Sequence, residues 1–127
     1  MKKKRIIFAL VLVFSMVGSM TVMAASVSKT FTYNSESHVN GYISFLEGPL
    51  TIQDKVYYTA SLGGKDISKC TVAYKVIVDN STITSGVLNP SNPSVSASDV
   101  KVGYGHEYAK LQFDFNGTTK TLTSYAD

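Results

Sequence analysis

The chain has 127 residues, with 12 Lys and Arg, 9 Asp and Glu, one Cys and no Trp, and its formal net charge is +3. This length allows one domain and excludes most multidomain enzymes. The charge is unevenly distributed, because four of the basic residues lie at positions 2–5 and all 9 acidic residues lie downstream of them.

The beginning of the chain has the features of an export signal. A basic block at Lys2–Arg5 precedes an apolar run at Ile6–Val17, and the small residue Ala24 follows. This order of basic region, apolar core and small-residue site is that of a secretory signal peptide. We therefore expect a signal peptide at residues 1–24, cleaved after residue 24 or 25, and a secreted domain at residues 25–127.

An uncleaved membrane anchor is the alternative, since residues 6–25 match the roughly 20 apolar residues that span a bilayer. Ser, Gly and Thr residues dilute the second half of this run, which favours cleavage. The basic start resembles bacterial export signals in style. No cysteine stands directly after the cleavage site, and no apolar tail or sorting motif ends the chain. We expect a bacterial protein that is extracellular, released or loosely held at the cell envelope, without a stable membrane anchor.

The charge of the secreted part narrows the choice of partners. It keeps 8 lysines, no arginine and 9 acidic residues, which gives a net charge of −1 before termini and histidines are counted. Binding to a phosphate backbone needs a clustered basic footprint, and binding to an anionic membrane surface needs a basic amphipathic helix. Since the lysines are scattered, we expect neither nucleic acid nor membrane as a partner.

Apolar and polar residues alternate with a period of two through the secreted part, and no window supports an amphipathic helix. In chain order, the alternation predicts strands at 27–33, 42–46, 55–62, 69–79, 82–88, 94–104, 107–115 and 118–125. Seven or eight short antiparallel strands predict an all-β fold. We expect a single small β-sandwich, immunoglobulin-like or jelly-roll-like, with a small β-barrel as the alternative. The paired cysteines and Trp of antibody domains are absent.

Turn residues separate these strands, and all three prolines fall in the breaks. Asn116-Gly117 is the best hairpin signal, because both residues tolerate the positive φ of a type I′ turn. Asn40-Gly41 is a second candidate hairpin turn. The segment 34–39 fits either a strand or a loop.

The lone cysteine, Cys70, has the same parity as Val72, Val76 and Val78. This pattern favours a buried, small apolar side chain. An intermolecular disulfide and a reactive thiol are the alternatives.

Signals for catalysis and metal binding are sparse. No Gly-x-Ser-x-Gly motif is present, and His38 and His106 are the only histidines. Neither zinc-ligand spacing nor a calcium-loop pattern occurs. His106 and Glu107 would face opposite sides of an extended strand, so we interpret His106 as a solvated or edge histidine. We expect no catalytic residues, no metal and no cofactor.

The tyrosines carry the one functional signal, since all 8 lie in the secreted part. Tyr57 and Tyr58 are consecutive, so one must face outwards, and Tyr108 has the parity opposite to its apolar neighbours. Exposed tyrosines can stack on sugar rings or anchor protein contacts, although they can also simply furnish the outer face of a sheet. The candidate binding surface comprises Tyr57, Tyr58, Tyr104, His106 and Tyr108.

The leading hypothesis is a secreted, non-enzymatic binding module for a glycan, an extracellular protein or another copy of itself. A bacteriocin-like protein or toxin is the alternative, and a small secreted hydrolase ranks lowest. The sequence specifies neither the ligand nor the oligomeric state.

Overall fold

The computed structural model of the chain describes residues 25–49 and 51–126, so the predicted signal peptide lies outside the described residues. These described residues form eight strands, one for each predicted alternating segment. They are β1 (Ala25–Asn34), β2 (Ser37–Leu46), β3 (Asp54–Gly64), β4 (Val72–Val78), β5 (Ser81–Leu88), β6 (Ser94–Gly103), β7 (Tyr108–Phe115) and β8 (Thr118–Tyr125). Within the described residues there is no helix, and therefore none that could cross a membrane.

The strands form two antiparallel sheets of four, which confirms the predicted β-sandwich. The first sheet has the order β1-β2-β3-β6 and the second the order β5-β4-β7-β8. The edge strands β1 and β8 contact each other, but no ladder joins the two sheets in the described part of the chain, so the sheets are not closed into a barrel.

The strand order differs from that of an immunoglobulin constant domain. There the second and third strands lie in opposite sheets, whereas here β2 and β3 are neighbours in the first sheet. The chain instead crosses between the sheets after β3, β5 and β6. These crossings place the β6–β7 loop near the end of β4.

The core consists of the inward-facing side chains of both sheets. Phe45, Ile43 and Val56 from the first sheet and Phe113 and Leu111 from the second are fully buried. Each such side chain contributes about 1.5–3 kcal/mol on burial, so a domain with a single free cysteine can be stable on its core alone.

Aromatic pairs close the core along the β1 edge. The rings of Phe31 and Phe113 meet edge to face at 6.1 Å, and those of Tyr33 and Phe115 stack at 5.3 Å. Pairs of this kind contribute about 0.5–1.5 kcal/mol beyond the area they bury. They anchor β1, which has a hydrogen-bonded neighbour on one side, to the second sheet.

The prediction of a hairpin turn at Asn40-Gly41 is wrong, because both residues lie inside β2. Gly41 faces the core, and a Cβ atom at this position would lie 2.8 Å from Cε2 of Phe113. The glycine therefore makes room for an aromatic ring. The turn lies instead at residues 35–36, where Oδ1 of Asn34 accepts a hydrogen bond from the N–H of Glu36 at 2.8 Å.

The prediction of a hairpin turn at Asn116-Gly117 is confirmed. Asn116 and Gly117 connect β7 to β8 with φ values of 52° and 75°, as a type I′ turn requires. Asp79 connects β4 to β5 with φ of 54°. Asp99 has φ of 59° at an irregularity in the pairing of β3 with β6. Its Oδ1 forms an ion pair with Nζ of Lys55 at 3.0 Å.

The predicted burial of Cys70 is also confirmed, since the residue is 1% exposed. It precedes β4 rather than lying within it, as β4 begins at Val72. Its Sγ donates to Oγ of Ser37 at 3.1 Å, and Ser37 donates in turn to Oδ1 of Asn34 at 2.7 Å.

Candidate functional site

A connected set of polar side chains lies at one end of the sandwich, which we call the loop end. It comprises Asp54 at the start of β3, the turn residues Asp79 and Asn80, and the β6–β7 loop at residues 104–107. These segments are distant in sequence, and the crossings between the sheets bring them together.

Asp54 is a fully buried carboxylate in the loop end. It shares the inward parity of Val56 and Tyr58, so β3 directs its side chain into the protein. Oδ1 accepts the N–H of Gly48 at 2.9 Å, and Oδ2 accepts the N–H of His106 at 2.8 Å. Buried polar groups need such partners. Asp54 therefore fixes the loop before β3 and the loop before β7 to each other.

His106 faces hydrogen-bond acceptors with both of its ring nitrogens. Nδ1 lies 3.0 Å from Oδ2 of Asp79, and Nε2 lies 2.8 Å from the carbonyl oxygen of Val102. A neutral imidazole has one N–H and would leave a lone pair directed at one of these oxygens. The protonated ring satisfies both acceptors. The hydrogen bond to Asp79 accordingly raises the pKa of His106, an effect that partial burial opposes and the Val102 carbonyl reinforces.

Asp79 accepts hydrogen bonds from the loop as well as from the histidine. Its Oδ1 accepts the N–H of Glu107 at 2.9 Å and that of Tyr108 at 3.3 Å. Burial alone would raise the pKa of Asp79, but the hydrogen bonds from Glu107, His106 and Tyr108 outweigh it and lower the pKa. The carboxylate thus holds the start of β7 against the end of β4.

The interpretation of His106 as a solvated or edge histidine is wrong, because the ring is half-buried in an ion pair with Asp79. Its partner lies 27 residues earlier, in the turn between β4 and β5, where local spacing could not indicate it. In the sequence, Asp54 has the same position in the alternation as the buried Val56 and Tyr58, and this could have predicted that its carboxylate faces inwards. Both ring nitrogens of His106 and both oxygens of Asp54 are engaged within the protein, so this network organises the loop end and presents no unpaired base to a substrate.

Tyrosine rings surround the loop end. Tyr108 and Tyr125 face each other across β7 and β8, with ring centres 5.8 Å apart. The hydroxyl of Tyr108 donates to Oδ1 of Asn80 at 3.0 Å, and Nζ of Lys110 lies 5.9 Å from the centre of the Tyr108 ring. Tyr104 lies in the β6–β7 loop and is 57% exposed, and Tyr125 is 44% exposed. We call Tyr104, Tyr108 and Tyr125 the tyrosine patch.

The structure separates the five predicted surface residues into three groups. Tyr104, His106 and Tyr108 belong to the loop end, as neighbours in and after one loop. Tyr57 faces outwards on the first sheet, opposite the Ser98–Asp99 irregularity. Tyr58 faces the core and is 6% exposed, so it is not available to a ligand.

Tyr125 is the member of the patch that sequence reasoning missed. Counting outwards from the confirmed turn at Asn116-Gly117 pairs residue 108 with residue 125, which is the register observed. The predicted turn at Asn116-Gly117 therefore already implied that residue 108 pairs with residue 125, because a two-residue turn fixes the register of its strands.

No group of three or more His, Cys, Asp or Glu side chains suited to a metal ion occurs among the described residues.

Comparison with protein-family models, with curated proteins and with solved structures gives no match to this chain.

Proposed function

We propose that this protein is an exported, non-enzymatic module that binds an extracellular protein or glycan surface through the tyrosine patch. The observation that carries the proposal is the paired arrangement of Tyr108 and Tyr125 at 5.8 Å, beside the exposed Tyr104. Tyrosine provides a flat apolar ring with a hydrogen-bonding edge, which suits contacts with both proteins and sugars.

The fixed position of the patch supports a binding role. Tyr108 is held by its ring partner, by the hydrogen bond to Asn80 and by the bond from its N–H to Asp79. Binding through groups that are already ordered avoids about 0.5–1.5 kcal/mol for each side chain that would otherwise be immobilised. The polar network of the loop end thus supports binding by holding Tyr108 in place, and this role requires no chemistry at His106.

The test uses the exported protein, produced from the full chain, on arrays of extracellular proteins and glycans. We expect saturable retention that falls at least about tenfold in Tyr104→Ser or Tyr125→Ser, as for residues that anchor an interface. Val87→Ser is the matched control, because Val87 is 43% exposed and lies on the second sheet, on strand β5. Equal retention of the wild type and both tyrosine variants would refute the tyrosine patch as the binding surface.

Export is a separate part of the proposal, and the mass of the exported protein tests it. We expect a species that starts at Ala25 or Ser26, in agreement with the small-residue site at the end of the apolar run. A mass that includes residues 1–24 would refute cleavage and favour a retained anchor.

A further inference from the structure

The outer face of the first sheet has an unusual composition that the tyrosine patch does not use. Strand register places its outward side chains in rows across the four strands. One row is Ser28, Tyr42, Thr59 and Ser96, and the neighbouring row is Thr30, Asn40, Ser61 and Ser94. All eight residues are uncharged and carry a hydroxyl or an amide. We call these two rows the hydroxyl face.

A shallow groove of about 350 Å³ crosses this face over β1, β2 and β3. Its side-chain lining comes from the outward residues Ser28, Thr30, Asn40, Tyr42 and Thr59, and Lys29 is the charged residue next to them among the described lining residues. This volume lies at the lower end of the range of small-ligand sites. The groove is remote from the loop end, because it lies over the middle of the strands.

Two side-chain contacts order the groove. Oγ1 of Thr30 donates to Oδ1 of Asn40 at 2.8 Å, and this contact orients the Asn40 amide. The same amide carries an NH₂ group, a donor that suits a ligand hydroxyl. The hydroxyl of Tyr42 lies 3.2 Å from Oγ of Ser26, which holds the half-buried Tyr42 ring against β1.

We infer that this groove is a binding site for an uncharged polysaccharide chain, distinct from the tyrosine patch. A sugar presents many hydroxyl groups that both donate and accept, together with apolar ring faces. The hydroxyls of the groove provide the matching donors and acceptors, and Tyr42 provides an aromatic ring for stacking.

The charge of the groove favours a neutral chain over an acidic one. All eight residues of the hydroxyl face are uncharged, and Lys29 pairs with the inward Gly41, so its side chain has the parity of the opposite face. The chain has no arginine beyond Arg5. Bidentate recognition of carboxylate or phosphate groups depends mainly on arginine. Lys55, further along the outer face on β3, is already paired with Asp99 at 3.0 Å.

The same composition argues against a protein partner at this groove. Cores of protein interfaces are enriched in aromatic residues, Met and Arg and depleted in Ser. The two rows of the hydroxyl face instead contain six serines and threonines, one asparagine and one tyrosine. A protein that occupied this groove would leave many of these hydroxyls without partners.

Calorimetric titration of the exported protein tests the inference. The neutral probes are cellohexaose, chitohexaose, xylohexaose and mannohexaose, and the acidic probe is hexagalacturonate. We expect at least one neutral probe to bind. Thr59→Val keeps the shape of the side chain and removes its hydroxyl, and we expect it to weaken binding by about 3- to 10-fold, the worth of one hydrogen bond.

Thr121→Val is the matched control, because Thr121 is an exposed strand residue that faces outwards on the other sheet. Its affinity should equal that of the wild type. Tyr42→Phe, which keeps the ring, should bind better than Tyr42→Leu, which loses it. Thermal unfolding of each variant shows whether a loss of binding reflects a loss of fold.

Three results would overturn the inference: no neutral probe binds, only the acidic probe binds, or Thr59→Val binds as tightly as Thr121→Val. Retention on the protein array that is lost in Thr59→Val would assign the groove to a protein instead. Hexasaccharide affinity that falls in Tyr104→Ser or Tyr125→Ser but not in Thr59→Val would place sugar binding at the tyrosine patch and overturn the groove, so failure at the groove and failure at the patch are distinguishable.

Discussion

Nδ1 of His106 lies 3.0 Å from Oδ2 of Asp79, and this contact joins the two sheets at the loop end. Asp79 follows β4 of the second sheet, whereas Nε2 of the same ring contacts the carbonyl oxygen of Val102 in β6 of the first sheet. The imidazole ring therefore bridges the sheets at the point where the chain crosses between them. Its protonation state determines whether the Asp79 carboxylate and the Val102 carbonyl both receive a hydrogen bond from the ring.

The first prediction concerns stability against pH. Because the pKa of His106 is raised above its ordinary value of 6.5, the folded protein binds the proton more tightly than the unfolded chain. The stabilisation is therefore complete below pH 6.5 and is lost as pH rises through the raised pKa. We expect the free energy of unfolding in urea to fall across this window, by less than about 1 kcal/mol because the pair is partly exposed.

His106→Gln should remove this slope, whereas His38→Gln should retain it, since His38 has no part in the bridge. At the acidic side the lowered pKa of Asp79 has the opposite sign: its stabilisation is present above pH 3.8 and is lost as pH falls through the lower folded value. A wild-type curve that stays flat from pH 6 to pH 9 would refute the role assigned to His106.

The second prediction concerns the buried carboxylate of Asp54. Asp54→Asn replaces one acceptor oxygen by an NH₂ group, which then faces the N–H of Gly48 or of His106. Since an unsatisfied buried group costs about 1–3 kcal/mol, we expect a loss of that size in urea unfolding. Asp99→Asn is the control, because Asp99 is exposed and its ion pair contributes at most about 1 kcal/mol. Equal stabilities of the two variants would contradict the prediction.

The strands were predictable from the sequence because period-two alternation is a local property of each segment. The ends of β3 and β5 to β8 lie within about two residues of the alternating segments that predict them. Burial of Cys70 followed from parity in the same way, as did the expectation that one of Tyr57 and Tyr58 faces outwards. Local alternation indicates which face of the strand a residue occupies. Where one face is buried, this is sufficient to predict whether the side chain is buried or exposed.

The loop end was not predictable, because it depends on the order of strands in the sheets. His106 reaches Asp79 only because the chain crosses between the sheets after both β3 and β6. The groove has the same origin, since Ser28, Tyr42 and Thr59 come from three strands whose register brings them into one row. Alternation predicts each of these residues as outward without indicating which residues become neighbours.

The third prediction concerns Gly41, whose sequence context is typical of a turn although it lies in the middle of β2. Gly41→Ala places a Cβ atom 2.8 Å from Cε2 of Phe113 and 3.2 Å from Cδ1 of Leu122, both of which are buried. Overpacking of this kind costs about 1–3 kcal/mol, and the double variant Gly41→Ala/Phe113→Leu should show less than the sum of its single losses.

Gly63→Ala is the matched control for Gly41→Ala. Its Cβ atom would lie 2.6 Å from Nε2 of His38, the end of a partly exposed side chain that can rotate away. We expect a change in stability of less than about 1 kcal/mol, which the entropy gain of replacing glycine partly offsets. Equal losses in Gly41→Ala and Gly63→Ala would show that packing against Phe113 is not the cause.

The last prediction concerns the accessibility of Cys70. The thiol is 1% exposed and donates to Ser37, so a reagent reaches it only after the segment before β4 opens. We expect labelling by a disulfide reagent in native buffer to be slower than in urea by on the order of 100-fold or more, because the rate reports the free energy of that opening. Ser37→Ala should accelerate native labelling, since it removes the thiol's acceptor and the bond to Asn34, whereas the exposed change Ser68→Ala should not. Rapid labelling of the native wild type would instead favour a reactive thiol or an intermolecular disulfide at this position.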